Sequence, residues 1–69
     1  MSHYYTVFAF DLSSGSWFDV FGSYDRSEAK AEADTIFWDD FDLKRSHIVI
    51  KKHSGTIKSL QAILKTLNN

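Results

Sequence analysis

Apolar residues along this chain switch between two periods, and the switches mark its elements. From His3 to Leu12 the residues are rich in aromatic and β-branched types, which predicts a strand. Tyr4, Phe8, Phe10 and Leu12 point one way from it, and Tyr5, Val7 and Ala9 the other. Ser13, Ser14, Gly15 and Ser16 supply turn chemistry, with Gly15 free to take positive φ. Trp17 to Tyr24 reads as the returning strand, so residues 3–24 form a β-hairpin. Gly22 near its end predicts a bulge or a close backbone approach.

The period then becomes helical. Asp25 and Glu28 have the D-x-x-E spacing of a capping box, and Glu28 to Ala33 is alanine-rich. Ala29, Ala33, Ile36 and Phe37 recur as a buried stripe, and the helix frays near Asp39 to Asp42. His47 to Lys52 alternates as a third strand, broken by Ser54 and Gly55. Ile57, Leu60, Ile63, Leu64 and Leu67 then repeat at three- and four-residue steps, an amphipathic helix. A short strand over residues 56–60 is the competing reading of its start.

The order is therefore β-β-α-β-α, a small α+β domain spanning residues 1–69 as one compact unit. A right-handed crossover sets strand 3 beside strand 1, giving a three-stranded antiparallel sheet of order 2-1-3 with both helices packed on one face. Sixty-nine residues bury only roughly 60% of the surface the unfolded chain exposes. Such a core contributes a net ~3–5 kcal/mol at best. There is no cysteine to staple the fold, and eleven aromatics compensate. Self-association is a natural remedy for so small a core. With no leader-like start and no apolar run of membrane-spanning length, a cytoplasmic location is expected.

Charge changes the picture most. Residues 1–42 carry all nine carboxylates against Arg26 and Lys30, a net of −7, while residues 43–69 carry six cations and no acid. The total of −1 hides a polarised molecule. The histidines offer little chemistry. His47 and His53 share one strand and stand roughly 20 Å apart at the strand rise, too far for one metal ion. His3 lies beside the chain start. Ser54–Gly55 lacks the glycines and the Lys-Ser/Thr of a phosphate loop. No catalytic residue, metal site or cofactor is predicted, and the chain reads as a non-enzyme.

Two surfaces remain. Strand 1 is apolar on both faces, which makes Tyr4, Phe8 and Phe10 either core or a sheet interface. Asp11 and Asp19 on the hairpin oppose base stacking there. The second surface is the run from Phe37 to Asp42. Trp38 lies about 180° from Ala29 at 100° per residue, so it falls outside the buried stripe. Asp34, Trp38, Asp39, Asp40, Phe41 and Asp42 form an aromatic pair ringed by carboxylates, against the preference of a helix C-terminus for cations. In the competing reading the helix ends by Trp38 and Lys44 and Arg45 neutralise the acids.

The size, the missing cysteines and the acid-decorated helix are similar in profile to small phage-encoded inhibitors, some of which mimic DNA. That profile implies a protein-binding inhibitor whose acidic helix occupies a basic surface of a nucleic-acid-handling protein, with no direct nucleic-acid binding of its own. Carboxylates imitate phosphates because both present acceptor oxygens to Arg and Lys. The alternatives are a homodimeric accessory protein and, more weakly, a nucleic-acid binder through the basic C-terminal third.

Overall fold

Aromatic and β-branched residues carry the hairpin as predicted. In the computed structural model, which describes residues 3–39 and 44–69, β1 runs Tyr4–Asp11 and β2 Ser16–Ser23. Their turn is held by Asp11, whose carboxylate accepts from the Ser13 amide and hydroxyl at 3.0 and 2.8 Å and from the Ser14 hydroxyl at 3.0 Å. These donors favour the ionised form and hold the Asp11 carboxyl below its usual pKa. Gly15 takes φ of +71° in the same turn.

Helix α1 spans Arg26–Asp39. Asp25 caps it, its carboxylate accepting the Ser27 amide at 2.8 Å. Glu28 departs from the predicted capping box. The Ser23 hydroxyl stands between the two, accepting the Asp25 amide at 3.0 Å and donating to Glu28 at 2.6 Å. A single turn over Arg45–His47 leads into β3, Ile48–His53, so His47 sits before the strand rather than in it. Helix α2 spans Ile57–Leu67, and Thr56 caps it by accepting the Ser59 amide at 3.1 Å. Residues 57–60 are thus helical, because the cap and the 3.6-residue stripe agree.

The sheet is three-stranded and antiparallel in order β2-β1-β3, as the crossover argument requires. Its two faces can be assigned from register. Val7 aligns with Phe21 and Ile50 and Ala9 with Ile48, and this face, which Tyr5 shares, receives Ala29, Ala33 and Ile36 of α1. Thr6 aligns with Lys51 and Tyr4 with His53 on the opposite face. That face is tied to α2: Thr6 bonds His53, which bonds Ser59.

The helices therefore flank the sheet, where the sequence pattern had placed both on one side. The reason lies in β1. Apolar residues on both of its faces need cover on both, and Gly55 at φ +87° turns the chain across to the second face. Phe8 is 0% exposed there, so it belongs to the core.

The β1–β2 register slips between Val7 and Phe8, leaving Val20 without a partner as a bulge. Gly22 has the close approach its position predicts. Any side chain there would collide with the Tyr4 ring and hydroxyl, and that ring packs against Tyr24 and His53.

Candidate functional site

The aromatic-acidic surface forms where α1 ends. Ala29 and Ala33 set which side of the helix faces the sheet, and Trp38 emerges opposite them, 71% exposed. Phe37 is half-buried, with its ring edge-on to Trp38 at 5.5 Å. Arg45 then crosses from the turn before β3. Its guanidinium lies 4.2 Å from the Phe37 centroid and pairs with Asp34 at 2.9 Å. Asp34 is thus half-neutralised by a neighbour, as the competing reading anticipated, whereas Trp38 and Asp39 stay exposed. Asp40, Phe41 and Asp42, the rest of the predicted site, lie outside the described residues.

The flank of α1 that faces β2 adds Glu28 and Glu32, which the sequence reading did not place in the site, beside the predicted Asp39. At 100° per residue, Glu28, Glu32 and Asp39 fall within about 40° of one another. The Ser23–Glu28 bond fixes that flank toward β2, just as the Arg45–Asp34 pair fixes the other toward β3. The helical positions were present in the sequence; which flank faced which strand was not.

The sheet residues divide. Phe8 is closed within the chain and offers no surface, so the predicted interface of Tyr4, Phe8 and Phe10 loses its middle member. Tyr4 and Phe10 are half-buried. Phe10 stacks on His47 at 5.3 Å and meets Trp17 edge-on at 5.5 Å, so both partners are internal.

A cleft of about 290 Å³ opens on the α2 face, between the bulged stretch of β2 and the first turn of α2. Asp19, Val20, Ile57 and Leu60 line it, with Tyr4 and His53 at its floor. Ile57 is 74% exposed, and Asp19 has no ion-pair partner among the described residues. At the floor, Gly55 donates its amide to His53 Nδ1 at 3.2 Å. Nδ1 is therefore an acceptor, which places the ring proton on Nε2, 2.6 Å from the Thr6 hydroxyl oxygen. Ser59 Oγ lies 2.8 Å from the same Nδ1 and 2.8 Å from the Thr56 carbonyl. Serine and histidine stand at a nucleophile–base spacing. The hydroxyl is shared with a backbone acceptor in a helical first turn, which makes the group a fastener holding α2 to the sheet. Nothing in the sequence joins Thr6 to His53 across 47 positions.

No group of three metal-ligating side chains gathers among the described residues, and none of their helices is long and apolar enough to cross a membrane. Comparison with known protein families, curated proteins and solved structures finds no match to this chain.

Proposed function

We propose that the chain is a non-enzymatic binding module of inhibitor type, which docks a basic surface of another protein through the acidic, aromatic end of α1. The observation that carries this reading is Trp38, 71% exposed at the end of a helix whose last turn holds no cation. A large aromatic left in water costs solvation, and aromatic anchors dominate binding energy at interfaces. Asp39 beside it and the Glu28–Glu32 flank supply acceptor oxygens for Arg and Lys, the groups that otherwise meet phosphate. A partner that handles nucleic acid fits this chemistry, and cytoplasmic residence fits the cysteine-free composition.

The test is a pair of measurements on Trp38→Ala. Its melting temperature should match the parent closely, because the ring contributes little to the core. Capture of a basic partner should weaken by about 30-fold, the equivalent of a hot spot of ~2 kcal/mol. An unfolded Trp38→Ala variant would dispose of the surface. Micromolar binding to duplex DNA that weakens steeply with salt would dispose of the acidic-partner reading and favour direct nucleic-acid binding instead.

A further inference from the structure

The two edges of the sheet are defended unequally. β3 carries Lys51 and Lys52, both exposed, and lysines on an edge strand discourage pairing with another chain. β2 carries Trp17, Phe18, Asp19, Val20 and Phe21, with Phe18 46% exposed, and no lysine or arginine precedes Arg26 anywhere in the sequence.

Asn68 shows which backbone groups of β2 face outward. Its side-chain amide accepts the Trp17 N–H at 2.6 Å and donates to the Trp17 carbonyl at 3.3 Å, so both groups of Trp17 point away from β1. Antiparallel pairing alternates these directions, so the N–H and C=O of Asp19 face outward too. Asn68 occupies the position of a neighbouring strand at Trp17, and the edge is open from Asp19 onward. Here the 290 Å³ cleft runs beside it, walled by the exposed Ile57 and by Leu60.

From these features we infer that the β2 edge and the adjoining cleft form a β-augmentation site for an extended segment of a partner protein bearing lysine or arginine at alternate positions. The added strand bonds the outward groups of β2 from Asp19 toward Gly22, and its inward side chains drop into the cleft. A lysine or arginine suits that cleft because its methylene stem covers Val20, Ile57 and Leu60 while its head reaches Asp19. Glu28 and Glu32 on the α1 flank lie on the other side of the edge and add to the negative field that draws a cationic strand. The same charges disfavour a second copy pairing β2 to β2, which would bring the Asp19 carboxylates of both chains together. This site shares the cationic partner class of the reading above but stands on the opposite face from Trp38.

The experiment is a titration of the isotope-labelled full chain, followed by amide NMR and hydrogen exchange. Two synthetic seven-residue peptides serve as probes, one alternating valine with lysine and the other valine with glutamate. The lysine peptide should bind, shift the amides of Asp19, Val20 and Ile57, and slow exchange of the Asp19 amide at least tenfold. The glutamate peptide should do neither. Asp19→Asn and Ile57→Ala should each weaken the lysine peptide at least fivefold while keeping the parent's melting temperature. Ile57→Ala suits this purpose because alanine keeps the helix propensity, adds no charge and removes only a side chain that is 74% exposed. Trp38→Ala should leave peptide affinity unchanged, so the groove and the Trp38 surface stand or fall separately. Equal binding of both peptides, binding of neither at millimolar concentration, or shifts confined to α1 would overturn the inference. So would protection of Asp19 that grows with protein concentration alone, which would name a second copy as the occupant.

Discussion

The two helix–sheet seams of this small domain are built from opposite materials. Against α1 the sheet supplies the bulk, Tyr5, Val7, Phe21, Ile48 and Ile50, while the helix offers two buried alanines. Against α2 the helix brings bulk of its own, a half-buried stripe of Leu60, Ile63, Leu64 and Leu67 on the face that buries Phe8, and polar bonds fasten it at either end. Small side chains let a helix lie close to a sheet, where fit is decided by volume. Large ones on a shorter helix leave its position to be decided by directed bonds. A domain with so little interior can use each principle once, on opposite sides of one central strand.

The largest effect should come from the residue under the second seam. Phe8→Ala removes a wholly buried ring and should cost about 3–5 kcal/mol, comparable to the whole stability of a domain this size, so chemical denaturation should find the variant largely unfolded. Ala33→Leu tests the first seam by overpacking and should cost about 1–3 kcal/mol, with a matching fall in the denaturation midpoint. The same volume added at Ala62, exposed on α2, should change stability by less than about 0.5 kcal/mol. Asn68→Ala removes two hydrogen bonds to Trp17 and should cost on the order of 1 kcal/mol, with faster hydrogen exchange of the Trp17 amide as its local signature.

The smallest effect is at the hairpin turn, outside both seams. Asp11 has a folded pKa below its unfolded value, so its contribution is present above the ordinary carboxylate range and is lost as pH falls through the folded value. Asp11→Asn should therefore melt slightly lower than the parent at neutral pH, and the gap should close in strongly acidic solution.

Legibility followed sequence distance. The hairpin, the alanine stripe and the α2 stripe are local periodicities, and each appears where its residues predict. Sheet order followed from handedness, which needs only the order of elements. The placement of α2 did not follow from its own pattern, since a stripe says that a helix has a buried side and not which face receives it. The clue was in β1, whose apolar residues on both faces demand two covers. Trp38 was readable by its angle on the helix. The pairing of Asp34 with Arg45 and the cleft beside Asp19 were not, because each depends on elements that meet only after folding.

The ring of Tyr4 has a consequence for time rather than for stability. It lies over Gly22 on β2 and against Tyr24 and His53, residues drawn from two stretches of chain that are both remote from its own. Such a contact cannot form until the hairpin, the third strand and the turn after it are all in place. On that account Gly22→Ala should mainly raise the unfolding rate and leave the folding rate nearly unchanged, which stopped-flow denaturation would read. A tyrosine that the sequence marks only as core or interface would then govern how long the folded state lasts.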